Sequence, residues 1–324
     1  MKYSIDHVIS AAFPSVQSNA VISDVYNGVF EHLLTDTGIQ IFSAENLINR
    51  EFRHNKFPNN INMLPKGLNY IPNRFEPSAI IINSRQENMF SMMDIAEKYH
   101  LNVILFEHEL PLKNVKTNIR KYINSRIKKN VTHVYPYELV KYEWHLEDSG
   151  KELIHIPYGI PNLKSDTEKD IDVLMVGDYQ SGDRDVLEEI LAINKNCVGV
   201  GYNNGLTKEY DDFKDIYKFM QRAKICVSLY PENQPPLYAM LAASAGAIPV
   251  VNRTRWTENL FIEQMVFDDI TKIKKTVDGF LNDTGREQIA AEIQDSILKQ
   301  FDYAKFTKAF KDTIHSVSKK IYKP

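Results

Sequence analysis

Short runs of consecutive apolar residues punctuate the chain, and between them apolar positions recur at helical steps of three and four. The first half carries such runs at 7–10, 39–42, 79–84, 102–106, 132–135 and 153–158. The second carries them at 171–177, 198–202, 225–229 and 248–251. Helical spacing fills 20–34, where Val21, Val25, Val29 and Leu33 share a face and Gly38 ends the unit. It returns at 87–99, in the basic stretch after Pro111, and at 186–193, 210–222, 237–245 and 285–300. A last stripe, Phe306, Phe310, Ile314, Val317 and Ile321, predicts a core-facing helix over 301–322. Continuous apolar strands alternating with helices predict parallel sheets covered on both faces. Residues 44–77 break the rhythm: rich in Asn, Arg and Pro with little period, they predict an irregular insertion.

The pattern divides near 159–169, where Gly159, Pro161 and then Lys164-Ser165-Asp166-Thr167-Glu168-Lys169 read as a linker. The expected organisation is an α/β domain over 1–163, a second over 164–300, and a terminal helix over 301–324 crossing back to the first. A chain of 324 residues is comfortable for two such domains. With 43% apolar and 25% charged residues it has an ordinary globular composition. Cys197 and Cys226 both fall in strand-like runs, which predicts buried free thiols and no disulfide or metal framework. The amino terminus is too short and polar for a signal peptide, and no run approaches the roughly 20 apolar residues of a membrane span. The expected location is the cytoplasm.

A net charge of −3 argues against a general nucleic-acid coat, yet the charges are unevenly placed. No acid lies between Glu109 and Glu138, while Lys113, Lys116, Arg120, Lys121, Arg126, Lys128 and Lys129 do. Such a face either meets a polyanion or is a solvated helix surface balanced elsewhere.

Three stretches carry chemistry. At 233–260 a small-residue helix stops at Gly246, a short strand follows, and a helix restarts near Thr257-Glu258-Asn259, where unpaired N–H groups suit a phosphate. A plain α/β crossover explains the same pattern. The turn Gly177-Asp178-Tyr179-Gln180-Ser181-Gly182-Asp183-Arg184 would offer N–H groups and Arg184 to a phosphate. It is neither a GxGxxG fingerprint nor a P-loop, which sets aside dinucleotide dehydrogenases and NTPases. Glu107-His108-Glu109 puts an imidazole between two carboxylates at a strand's carboxyl end, able to act as base or hydrogen-bond donor, or else lying in a surface loop.

Two similar α/β domains, a central hinge and a final helix resemble the GT-B glycosyltransferase architecture: two Rossmann-like doubly wound domains with an interdomain cleft. Ala243-Ser244-Ala245-Gly246-Ala247-Ile248-Pro249-Val250-Val251 resembles the nucleotide-sugar signature of retaining GT-B enzymes. With Thr257-Glu258-Asn259-Leu260, Ile81-Ile82-Asn83-Ser84 and His108, the chain most resembles the DNA α-glucosyltransferases of T-even bacteriophages. One position departs: the family's ribose-binding Glu, five residues before the Gly, is Leu241 here, with Glu232 or Glu258 as substitutes. The resemblance implies a UDP-sugar donor substrate held by Gly177, Tyr179, Ser181, Arg184, Tyr202, Glu232, Gly246, Thr257, Glu258 and Asn259. Arg184 would neutralise the leaving diphosphate, and Tyr202, Tyr210 or Phe213 would stack on the base. Catalysis would fall to His108 with Glu107 and Glu109, without obligatory metal or cofactor. The acceptor would be 5-hydroxymethylcytosine in double-stranded DNA, flipped from the duplex and gripped through phosphates by the basic run. The location would then be the host cytoplasm, with no protein partner evident. The same resemblance admits a bacterial surface-polysaccharide acceptor, or a sugar-nucleotide binder without catalysis.

Overall fold

The computed structural model describes residues 4–11, 40–44, 61–64, 77–83, 89–107, 110, 131–176, 196–200, 213–230, 232 and 234–320. They form two compact units, one holding the described residues up to Tyr158 and from Ala304 onward, the other Gly159–Tyr303.

The first unit contains a seven-stranded sheet in the order β3-β2-β1-β4-β5-β6-β7, every pairing parallel. Its strands are β1 (Ser4–Ala11), β2 (Gln40–Ala44), β3 (Ile61–Leu64), β4 (Pro77–Asn83), β5 (Asn102–Phe106), β6 (Val131–Tyr135) and β7 (Glu152–His155). Helix α1 (Met89–Lys98) joins β4 to β5, and α2 (Glu138–Trp144) lies between β6 and β7. The irregular stretch expected at 44–77 instead supplies an edge strand, β3, and the start of β4. A four-residue strand at the sheet edge is too short a run for its sequence to register a period. Ala79 through Ile82 and all of β5 are buried, as strands covered on both faces require.

Helix α8 (Tyr303–Ser318) buries Phe306, Phe310, Ile314 and Val317, each side chain contributing about 1.5–3 kcal/mol. Phe310 meets Phe106 of β5 edge to face, with ring centroids 6.0 Å apart. At the helix's far end the buried Asn102 donates from Nδ2 to Val317 O and Lys320 O, both at 3.0 Å. Val317 O also accepts from Lys320 N at 3.1 Å, so a local turn and one amide at the start of β5 together close the helix's carboxyl terminus.

The second unit has a five-stranded parallel sheet in the order β12-β11-β10-β8-β9. It comprises β8 (Ile171–Val176), β9 (Cys197–Val200), β10 (Ala223–Ser228), β11 (Ile248–Asn252) and the two-residue β12 (Val266–Phe267). Its helices are α3 (Phe213–Arg222), α4 (Leu237–Ser244), the single turn α5 (Thr257–Leu260), α6 (Ile273–Asn282) and α7 (Arg286–Gln300). Every residue of α4 is buried, which explains why its sequence carries no charge and is apolar but for Tyr238 and Ser244. Pro249 sits mid-strand in β11 without harm. Arg253 N–H reaches Phe267 O across to β12, so by strand alternation residue 249 faces that same side. There β12 pairs only with Val251 and Asn252, and the missing donor at Pro249 has no strand opposite it. Helix α6 carried a sequence signal that sequence reading left unused: Ile273, Val277 and Phe280 are buried at helical spacing.

Candidate functional site

In the second unit the strand order reverses beside β8, which lies between β10 and β9. Parallel sheets bind ligands at the carboxyl ends of their strands near such a reversal. Here that edge is formed by Ser228–Tyr230 after β10 and by Asn252–Thr257 after β11. Asn252 clamps the two: its Oδ1 accepts from Tyr230 N at 2.7 Å and its Nδ2 donates to Tyr230 O at 2.9 Å. The buried Tyr230 hydroxyl accepts from Ala239 N at 2.8 Å and lies 2.8 Å from Ser228 Oγ, so it closes the amino end of α4. Burial pushes its phenol well above the ordinary range and keeps it neutral.

Past β11, Thr254 and Thr257 cap each other. Thr257 N donates to Thr254 Oγ1 at 3.2 Å, and Thr254 N donates to Thr257 Oγ1 at 2.8 Å. This reciprocal arrangement is a capping box closed by two threonines, both buried. Thr257 Oγ1 also donates to Asn252 O at 2.8 Å, while Glu258 N and Asn259 N bond to Thr254 O and Trp256 O. The N–H groups of 257–259 expected to meet a phosphate are therefore engaged inside a one-turn helix. Glu258 and Asn259 are exposed, Glu258 3.1 Å from Arg253 Nη1 and Asn259 Nδ2 2.7 Å from Arg255 O. Arg253 also meets Glu263 and Asp268, and these three carboxylates hold its guanidinium above the ordinary range. Glu232 is exposed and accepts from Arg255 Nε at 3.1 Å.

Gly246 belongs to the opposite edge of the sheet, which corrects its expected donor-binding role. It precedes β11, whose five residues span about 16 Å before the carboxyl edge begins. Gly246 ends α4 instead, at φ +76, with Ala247 N bonded to Ala242 O and Gly246 N to Ala243 O, both at 2.9 Å. That is a Schellman closure, which favours Gly because a side chain disfavours this backbone. Its neighbours finish the cap: Lys169 Nζ donates to Ala245 O at 2.9 Å and Gln221 O at 3.2 Å, and Gln294 Nε2 donates to Ser244 O at 2.7 Å. Burial pulls the Lys169 ammonium down to about 8. Leu241, where a ribose-binding Glu was expected, is fully buried in α4.

In the first unit Glu107 follows β5, but it is 1% exposed and its Oε1 lies 3.0 Å from Nδ1 of the fully buried His133. Glu107 is thus enclosed within the fold beside His133, which gives it a structural partner the sequence did not show. Glu107 Oε2 and His133 Nε2 lack partners among the described residues. His108, Glu109, Gly177, Tyr179, Ser181, Arg184, Tyr202 and Tyr210 lie outside the described residues. So do the basic residues Lys113, Lys116, Arg120, Lys121, Arg126, Lys128 and Lys129, as do Ser84 and Ile321. Neither cysteine is in a disulfide, Cys226 being buried and Cys197 half-buried. Among the described residues no cluster of His, Cys, Asp and Glu has the grouping of a metal site. No helix among them is long and apolar enough to cross a membrane.

Residues 182–312 match a family model described as glycosyl transferase-like. A search of curated protein sequences finds no match. The fold is similar to that of Anabaena Alr3699/HepE solved with UDP and glucose, at TM-score 0.69 and 10% identity, covering 97% of this chain and 100% of that one. A glycosyltransferase from Rickettsia africae ESF-5 is similar at TM-score 0.64 and 13% identity, covering 98% and 99% of the two chains. The N-terminal domain of Candida albicans trehalose-6-phosphate phosphatase is similar at TM-score 0.61 and 9% identity, covering 98% of each chain. Neighbours this distant share architecture, and the matched segment, not the fold, points to the reaction. The chain has the GT-B fold, and its segment 182–312 matches the glycosyl transferase-like model, which supports a transferase.

Proposed function

We propose that the protein moves a sugar from a UDP-sugar to an acceptor hydroxyl. The observation that carries this reading is the glycosyl transferase-like match over 182–312, which covers most of the second unit. The likeness over nearly the whole chain to a structure holding UDP and glucose supports UDP as the nucleotide. In the reaction the bond from the sugar's anomeric carbon to the β-phosphate oxygen breaks. A bond to the acceptor oxygen forms, UDP leaves with the electron pair, and the acceptor's proton is released. Arg184 neutralises the departing diphosphate, His108 faces the reacting sugar, and the transfer retains anomeric configuration.

The proposed acceptor is 5-hydroxymethylcytosine in double-stranded DNA, with glucose or a pentose such as arabinose as the sugar. Its support is the acid-free basic run from Lys113 to Lys129 together with the resemblance to phage DNA α-glucosyltransferases. The test is a panel of UDP-sugars incubated with the protein and hydroxymethylated duplex, followed by nucleoside mass analysis. A hexose or pentose mass added to hydroxymethylcytosine is expected. Transfer to glycan acceptors with none to DNA would move the acceptor to a polysaccharide. UDP-sugar binding without turnover on any acceptor would leave a binding protein.

A further inference from the structure

Several backbone amides among the described residues between β10 and the first turns of α4 are missing or already engaged. Pro235 and Pro236 have no N–H, Leu237 N bonds to Pro235 O at 2.9 Å, and Met240 N bonds to Pro236 O at 3.0 Å. Ala239 N is held by the Tyr230 hydroxyl, which also takes a backbone hydrogen bond from Tyr238. A phosphate arriving at this helix end would find these amides occupied. One side chain here differs in kind. Gln234, two residues ahead of the Pro236 cap, is 9% exposed, and its Oε1 has no hydrogen-bond partner among the described residues.

A buried amide oxygen left unpaired costs about 1–3 kcal/mol, and a native fold tolerates few such groups without a use for them. An oxygen acceptor cannot serve a phosphate, whose oxygens are also acceptors. It is satisfied by an O–H or N–H donor, and hydroxyls are the donors a nucleotide sugar carries in greatest number. Gln234 lies in the connection that follows β10, the strand next to the order reversal, at the carboxyl edge where ligands of parallel α/β sheets bind.

We propose that Gln234 is the hydroxyl-reading residue of the donor site, its Oε1 accepting from a sugar hydroxyl of the nucleotide sugar. The inference rests on the UDP-sugar reading above. Anchored by the Asn252 clamp on Tyr230 and by the buried α4, Gln234 orients a hydroxyl without contributing to the leaving-group charge. Its loss therefore weakens binding more than turnover.

The test compares wild type with Gln234→Met, of similar length and no acceptor oxygen, and with Gln234→Ala should the first fold poorly. Calorimetric titrations use UDP, the UDP-sugar that wild type turns over, and 2′-deoxy-UDP. The expected result is a five- to tenfold weaker UDP-sugar affinity in Gln234→Met, with a thermal midpoint equal to or above that of wild type. Loss of affinity for UDP and UDP-sugar alike assigns the nucleoside half, and the ribose 2′-hydroxyl is the group read when wild type binds 2′-deoxy-UDP as weakly as the variant binds UDP. Loss for UDP-sugar alone assigns the transferred sugar. Unchanged affinity for all three, in a wild type that binds UDP-sugar, overturns this inference and leaves the donor reading intact. A wild type that binds no nucleotide sugar overturns the donor reading itself.

Discussion

Replacing Lys169 with Met should destabilise the second unit at neutral pH, and by more as the solution becomes alkaline. Lys169 Nζ donates to the last carbonyls of two helices, Gln221 O of α3 and Ala245 O just past α4. Hydrogen bonds from a charged donor are worth about 1.5–3 kcal/mol each. Water can reach part of the site, and the variant escapes the ammonium's burial penalty, so the net loss at neutral pH is about 1–3 kcal/mol. The pH dependence separates these effects. Burial pulls the folded-state amine down to about 8, while the unfolded chain titrates near 10.4. Between those values the unfolded state binds more protons, so wild-type stability rises with pH across that window. Full linkage would give about 3 kcal/mol, and discounting for the wetted part of the amine leaves about 1–2 kcal/mol. The adjacent Cys226 thiol, pushed up to about 12 by burial, stays neutral throughout. The chain's two tryptophans, Trp144 and Trp256, fall one in each unit. Denaturant unfolding in a Trp144→Phe background therefore reports the second unit through the buried Trp256. The gap between wild type and Lys169→Met should widen from pH 8 to pH 10. A gap that narrows, or is absent at both, refutes the argument.

Gly246→Ala should cost about 1–2 kcal/mol through its positive φ, since the added carbon meets its nearest atom, Gln294 Nε2, at an ordinary 3.5 Å. Donor KM should not move, because the residue lies at the edge away from the ligand; a raised KM with unchanged stability would contradict this placement. Asn252→Ala removes both bonds of the Tyr230 clamp and should lose about 1–3 kcal/mol. It should also raise donor KM, and thermal melts beside steady-state kinetics read both effects. Glu107→Leu alone should destabilise the first unit by about 3–5 kcal/mol by leaving His133 buried and unpaired, whereas Glu107→Leu with His133→Phe should recover most of it. A double-mutant cycle measured by denaturant unfolding shows whether the pair couples.

The strands were legible because a strand covered on both faces has to be apolar throughout. Residues 102–106 match β5 at both ends, and 132–135 falls one residue short of β6. Very short elements hid their signal, as β3 shows with four residues at the sheet edge and β12 with two, because so few positions set no period. The site was less legible for a different reason. Sequence motifs record which residues stand close along the chain, and hydrogen-bond saturation is a property of the folded backbone. Thr257, Glu258 and Asn259 look like a phosphate-ready helix start until Thr254 and Trp256 are seen to hold their N–H groups. Glu107 looks catalytic beside His108 until His133, 26 residues away, encloses it.

The Gly-x-x-Pro-Val-Val stretch shows how one motif can serve a site without touching it. Gly246 and its carbonyl neighbours lie at the amino edge of the sheet, where Lys169 and Gln294 close the ends of α3 and α4. From there α4 runs fully buried, so its position is set along its whole length by packing and by those closures. Its other end carries Ala239, whose N–H fixes the Tyr230 hydroxyl, and Tyr230 in turn is fixed by Asn252 at the end of β11. A change at Gly246 therefore reaches the ligand edge only through rigid displacement of α4. Packed helices resist such displacement because side chains at interior density cannot move independently. Destabilisation at the amino edge and loss of affinity at the carboxyl edge should then be separable. Gly246→Ala and Gln234→Met, measured together, should add in stability and show no coupling in donor affinity, because they share no partner. Coupling between them above about 0.5 kcal/mol would mean that α4 transmits strain along its axis, and the two edges would have to be treated as one device.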